Sequence, residues 1–334
     1  LPNRDCETSS PAYFRFCFFP FAFFLFMIGS LIIDKPAGIT SHDVVARVRR
    51  AAATRRVGHA GTLDPFATGV LVACIGPATR LVQFLVGHDK EYIATVKLGY
   101  ATDTQDLTGK PITPFQSSDE VRLDNIISVL AEFTGVQLQM PPMFSAKKIA
   151  GERLHRAARE GREIERQALP VTVYLIKLLS ALNAGEGGTR DFVMRVRCSS
   201  GTYVRTLAHD IGAKLGVGAH LAALRRTAVG HFKLENALTL DEVERVGREG
   251  GIDAILTNPS DTLAHLPLVR LDEDGVRRVL NGREVQLPEE EIDLSQSNQL
   301  PVRLCDKTGG LIAVGDYDLR LQIIKPRVVL ATVN

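Results

Sequence analysis

The sequence predicts a mixed α/β (α+β) fold divided into two domains. Three observations carry that expectation. Strand-like stretches recur, the clearest being Glu91–Leu98, where Tyr92, Ala94, Val96 and Leu98 share one face of a period-two pattern. Helix signals stand among them, including Thr239-x-x-Glu242, a capping box for a helix over about 240–249. The chain's 334 residues exceed one ordinary domain, and a 45% hydrophobic content suffices for a sizeable core.

Taken in order, residues 1–26 stand apart. They hold a Phe-dense run broken by Arg15 and Pro20, too short and interrupted for a membrane span. We expect a non-native or disordered extension there, with a membrane anchor as the competing idea. Leu31–Asp34 reads as a strand, and Ser41 as the N-cap of a helix over about 42–53. Next comes Val57–Gly69, a loop with glycines at 58, 61 and 69. Val70–Ile75 is an apolar strand and Ala78–Val86 is helical. After the Glu91–Leu98 strand, Gly99–Gly109 reads as a polar turn, since Asp103 and Asp106 fit no calcium or magnesium motif. Asp119–Phe133 is helix-like, and Leu154, Ala157 and Ala158 have helical spacing between Gly151 and Gly161. Val171–Leu182 and Phe192–Cys198 are expected to pair, followed by a helix ending near Leu215. Tyr203 and Arg205 are two apart and, on a strand, would point the same way. Leu266–Asn334 reads as a separate unit with short strands at 309–315 and 323–329.

Net charge is +2, which neither demands nor excludes nucleic acid, so its distribution matters more. Arg47, Arg49, Arg50, Arg55 and Arg56 fall between Val44 and His59 with no acid among them. From Ser145 to Ala168 there are seven Lys or Arg against four Glu, whereas Glu289–Glu291 and Asp293 form an acidic run. Local basic patches are compatible with a confined RNA-binding face, and equally with solvated helix faces. The five cysteines (6, 17, 74, 198 and 305) show no CxxC and no metal-ligand spacing. A reducing cytosol suits them, with no zinc site and no disulfide framework.

Chemistry concentrates in the loop Gly-His-Ala-Gly-Thr-Leu-Asp-Pro-Phe-Ala-Thr-Gly at 58–69. Asp64 is its one acid, set among small and apolar residues, where an unpartnered carboxylate is costly. On composition alone, a turn Asp bonding its own backbone is the ordinary explanation. The stretch resembles the catalytic motif of tRNA pseudouridine-55 synthases of the TruB type. Further segments resemble the same family in the same order: Asp34-Lys-Pro-Ala-Gly-Ile-Thr-Ser, Gly99-x-x-Thr-Asp-Thr-x-Asp, Pro141-Pro-x-x-Ser-Ala-x-Lys, Ser199-Ser-Gly-Thr-Tyr-Val-Arg-Thr-Leu and Leu224-Arg-Arg-Thr-x-x-Gly230.

The resemblance implies a largely antiparallel central sheet in a catalytic domain over 27–250. It implies a thumb-like basic segment at about 141–168 and a small PUA-like β domain at 265–334. Asp64 would be the nucleophile and Arg205 its cationic partner. Tyr92 would stack on the target base and take the C5 proton, and Tyr203 and Leu224 would line the pocket. Lys35 would support the active-site wall, and His59 would insert into the RNA as the base flips. Lys147, Lys148 and Arg159 would contact RNA. His155 stands where many members have Tyr. The implied enzyme needs no cofactor and no metal, binds the T-arm of tRNA, and works as a cytoplasmic monomer without a membrane. Two other readings stay open: a noncatalytic RNA-folding module on the same surface, and an Asp-nucleophile hydrolase. The second is disfavoured because Asp64 lacks a DxT partner and a phosphate-cradling Gly loop.

Overall fold

In the computed structural model, residues 27–145, 147–149, 151–180, 183–185, 188–286 and 299–330 are described. The expectation for residues 1–26 and the acidic run at 289–293 lie outside them. Strand β1 (Gly29–Lys35) leads through α1 (Ser41–Ala51) to β2 (Val57–Ala60) and β3 (Thr68–Ile75). A 3-10 turn (Gly76–Leu81) and the short helix α2 (Val82–Leu85) precede β4 (Lys90–Leu98). Next come α3 (Leu123–Glu132), β5 (Gly135–Gln139), the hairpin β6 (Lys148–Ile149) and β7 (Glu152–Arg153), and α4 (Leu154–Arg159). Then follow β8 (Leu169–Leu178), β9 (Asn183–Ala184), β10 (Arg190–Cys198), α5 (Val204–Lys214) and β11 (Ala219–Val229). β12 (Phe232–Lys233), β13 (Leu238–Thr239) and α6 (Leu240–Arg248) follow. Helix α7 (Pro259–Thr262) leads to β14 (Leu268–Arg270), α8 (Glu273–Leu280), β15 (Val285–Gln286), β16 (Gln299–Cys305), β17 (Leu311–Asp318) and β18 (Ile323–Val329).

The large sheet runs β13-β1-β3-β11-β4-β10-β8-β5, and β14–β18 form a second sheet. Most pairs in the large sheet are antiparallel, as the family resemblance implies. Two are parallel, β1 with β13 and β3 with β11. The β3–β11 join matters most, because it sets Gly69 opposite Arg226. The alternation of β4 is realised in full: its residues are buried and half-buried in turn from Lys90 to Leu98. One core packs that face and β10 against α3 and α5. Another packs β1 and β3 against α1 and α6.

Several expectations are corrected. Thr40, not Ser41, caps α1, through a capping box with Asp43. Ser41 is engaged elsewhere, as described below. The helix expected from Asp119 begins at Leu123, and Ala78–Val86 splits into a 3-10 turn, which starts with Pro77 in its first turn, and a short α turn. The arginine-rich stretch is partly structural: Arg47 bridges α1 to α6 through Glu244 at 2.6 Å and Asp241 at 3.1 Å. The C-terminal unit has its own sheet but is not detached. Leu311, Val314, Val328 and Leu330 share one buried cluster with Val70, Val72, Leu81 and Leu85.

Candidate active site

Asp64 sits on the loop between β2 and β3, and that loop is fixed from three sides. Ser41 Oγ donates to the Leu63 carbonyl at 3.1 Å and accepts from the Leu63 amide at 2.9 Å. This double use explains why Ser41 is not free to cap its helix. Lys35, fully buried, donates to the carbonyls of Pro36 (2.8 Å), Pro65 (3.1 Å) and Ala67 (2.7 Å). Burial lowers its pKa to about 8, opposed by Asp64. Arg226, almost fully buried, reaches the carbonyls of Gly61 (3.0 Å) and Val70 (2.7 Å) and so ties the two ends of the loop together. Buried cations sharing several carbonyls are satisfied without a carboxylate.

Gly69 makes the close approach possible. Its φ is +102°, and a Cβ there would lie 2.2 Å from the Arg226 carbonyl oxygen. We expect Gly69→Ala to cost roughly 2–4 kcal/mol, through a disfavoured backbone conformation and a backbone clash. Urea unfolding reads this directly. An unchanged midpoint would show that the β3–β11 join is looser than described.

So held, the Asp64 carboxylate faces a cavity of about 300 Å³, at the small end of ligand pockets. Its lining includes Lys90, Tyr92, Tyr203, Arg205 and Leu224. Asp64 does not bond its own backbone amides among the described residues, contrary to the ordinary turn reading. Its partner is Arg205, with Nε 3.6 Å from Oδ2. The Arg205 side chain is only 6% exposed, while that of Asp64 is 35% exposed on the pocket side. Arg205 also lies 3.7 Å from Asp106, which is 4% exposed, and donates to the Phe144 carbonyl at 2.7 Å. Its Nε has no hydrogen-bond partner. Burial pushes the Asp64 carboxyl up, Arg205 pulls it back, Asp106 pushes it up again and Lys35 opposes.

The structure brings together Asp64, Tyr92, Tyr203, Arg205 and Leu224, with Lys35 beneath the loop. Tyr203 and Arg205 are not on a strand: Tyr203 is the N-cap of α5 and Arg205 lies in its first turn. Gln139 clamps that helix start, donating to the Tyr203 carbonyl at 3.1 Å and accepting from its amide at 2.8 Å. His59 does not line the cavity. It lies on β2 with its ring edge-on to His42, 5.5 Å between centroids. Of the basic segment, the side chains of Lys148 and Arg159 lie outside the described residues. Lys147 is half-buried, and Arg156 and Arg162 pair with Glu160 within the same segment.

Three site residues were not singled out from the sequence. Asp106 belongs to the turn at 99–109, where Thr104 Oγ1 and the amide and hydroxyl of Thr108 donate to its Oδ1. That leaves Oδ2 for Arg205. Threonines two residues to either side were the available signal. Lys90 shares the buried face of β4 with Tyr92, and a lysine in phase with an apolar face is a signal too. Burial lowers its pKa to about 8. Nothing local distinguishes Arg226 from Arg225, whose guanidinium pairs with Asp34 at 2.7 Å.

A carboxylate opposed by a buried arginine at a cavity of about 300 Å³ can serve nucleophilic or acid–base chemistry. Comparison with known proteins settles which family owns it. Residues 49–204 match the N-terminal domain of TruB family pseudouridylate synthases, and residues 205–263 match the C-terminal domain of tRNA pseudouridylate synthase B. The chain belongs to the TruB family of pseudouridylate synthases. The tRNA pseudouridine synthase B of Geobacillus thermodenitrificans is 44% identical over 78% of this chain and 87% of its own. That of Geotalea uraniireducens is 46% identical over 77% and 80%. Among solved structures, a Cbf5-Nop10-Gar1 complex contains a chain with TM-score 0.70 at 29% identity, covering 92% of this chain and 86% of that one. The family's sheet and its second, C-terminal sheet are thus both present. No helix among the described residues is long and apolar enough to cross a membrane.

Proposed function

We propose that this TruB-family enzyme isomerises uridine 55 in the T-loop of tRNA to pseudouridine, with Asp64 as nucleophile on a base flipped out of the RNA. One observation carries the reading: Asp64 opens onto a cavity of about 300 Å³, roomy enough for a flipped-out base, held against a buried arginine and otherwise unbonded. The relatives named above as tRNA pseudouridine synthase B supply the substrate class. Isomerisation breaks the N1–C1′ bond and forms C5–C1′. The C5 proton leaves and N1 regains one, so atoms balance without oxidant, ATP or metal. A stacked base must leave its helix to reach such a pocket.

The residues divide the work. Arg205 opposes the rise that burial and Asp106 impose on the Asp64 pKa, favouring the ionised nucleophile without cancelling that rise. Tyr92 lines the pocket wall, and its burial raises its pKa, so it stays a neutral phenol suited to stacking on the base; it can take the C5 proton only by passing its own hydroxyl proton on. Tyr203 and Leu224 complete the wall. Lys35 holds the loop from outside the pocket, and Arg226 both holds the loop and borders the pocket. His59, beside the loop and outside the pocket, is placed to meet the RNA around the flipped base. The β14–β18 sheet, read as PUA-like, extends the RNA-binding face. The enzyme acts as a monomer in the cytoplasm.

Reaction of an unmodified full-length tRNA transcript, followed by carbodiimide-stop mapping, tests the position. The expected result is one new stop, one nucleotide 3′ of uridine 55. A stop elsewhere, or none, would overturn the assignment. Affinity for the T-arm should also fall with salt as phosphate contacts release counterions. Reversing the charges of Lys147 and Lys148 together should flatten that dependence by about two contacts. An affinity indifferent to salt would remove the basic segment from the RNA interface.

A further inference from the structure

Three histidines far apart in the chain meet where the first domain hands over to the second. His88 lies between α2 and β4, His231 in the turn between β11 and β12, and His265 just before β14. One ring nitrogen from each can be chosen so that all lie within 4.8 Å of one another. The rings of His88 and His265 meet edge to face at 4.2 Å, and His231 stands 6.1 Å from both.

Packing alone does not account for this cluster. His231 and His265 are solvent-exposed, so no apolar core requires them there. The His88 Nε2 is buried without a hydrogen-bond partner, and an orphaned imidazole nitrogen is what an unfilled ligand position leaves. Backbone carbonyls stand at the other two rings, Phe84 at His265 and Asp261 at His231. A carbonyl that takes one ring N–H fixes the tautomer and frees the opposite lone pair, the usual outer support of a metal-bound histidine.

We propose that His88, His231 and His265 bind one zinc-class divalent ion that clasps the start of the C-terminal domain onto the first domain. Three imidazoles suit Zn²⁺, Cu²⁺ or Ni²⁺, whereas Mg²⁺ and Ca²⁺ want oxygen ligands. With Zn–N bonds of about 2.0–2.1 Å, tetrahedral ligand atoms stand roughly 3.4 Å apart. Rotation of the two exposed rings closes the difference, and the open face leaves the fourth position to water. The ligand set carries no charge and Arg303 acts on both His231 and His265, so affinity is moderate. The ion plays no part in the isomerisation. It is nevertheless coupled to the pocket, because the His88 carbonyl accepts from Lys90, which lines it.

The test uses untagged full-length protein stripped with chelator. Zinc chloride is titrated by calorimetry, and cobalt(II) is followed by visible absorption. The expected result is one ion per chain with a micromolar dissociation constant, a tetrahedral cobalt spectrum and a melting temperature higher by a few degrees. His231→Gln and His265→Gln, both at exposed positions, should each weaken binding at least tenfold while leaving the metal-free melting temperature unchanged. No uptake, or uptake equal in wild type and both variants, would overturn the clasp. Neither outcome bears on Asp64 or on the isomerase reading.

Discussion

Asp64→Asn should abolish isomerisation, with a loss on the order of 10⁴-fold or more, while tRNA affinity changes only a few-fold. Asparagine keeps the shape and removes the nucleophile. The loop around it is held by Ser41, Lys35 and Arg226 through main-chain atoms, so the substitution leaves those supports intact. Single-turnover rates on a T-arm minihelix, with affinity measured in parallel, separate chemistry from binding. Retained turnover would remove Asp64 from the nucleophile's role. The wild-type rate should also show an acid limb above the ordinary carboxylate range, because burial raises the Asp64 pKa. The sign for stability is opposite. A native carboxyl with a raised pKa binds more protons than its unfolded counterpart, so its contribution falls as pH rises through that window.

Arg205→Met should be nearly as damaging, and for two reasons. Asp106 loses the cation 3.7 Å from a carboxylate that is almost fully buried. Breaking such a buried pair typically costs about 3–5 kcal/mol. Asp64 loses the largest influence holding its pKa down and keeps Asp106 as a repelling neighbour. The acid limb of the rate should therefore move to higher pH in whatever folded protein remains, and Arg205→Lys should restore part of both losses. Full activity at pH 7 in Arg205→Met would show that the ion pair has no bearing on the reaction. Urea unfolding alongside the pH profile separates the two effects.

How much of this was legible in the sequence follows from the range of the interactions. The Asp64 loop is contiguous, so its glycines, Pro65 and lone acid could be read together. The face of β4 and the Thr239–Glu242 cap are local patterns and appear as expected. Ser41 was misread as a cap because its true partner, Leu63, is 22 residues away. Asp106 looked like a turn residue, and through its Oδ1 it is one. Only the fold shows its second oxygen turned toward Arg205. Arg225 and Arg226 are neighbours pointing to opposite faces of β11, one to Asp34 and one under the pocket. Spacing alone assigns them to opposite faces but not to those roles. The three histidines sit in three separate connections, and only the fold brings them together.

The central claim is that this pocket converts uridine to pseudouridine. Tritium release from a T-arm minihelix labelled at C5 of its uridines tests it most directly, since the label leaves only when C5 bonds to C1′. The account predicts release of one equivalent per RNA, all from the T-loop target, and none with Asp64→Asn. Binding of the minihelix with no tritium released by the wild-type protein would contradict it.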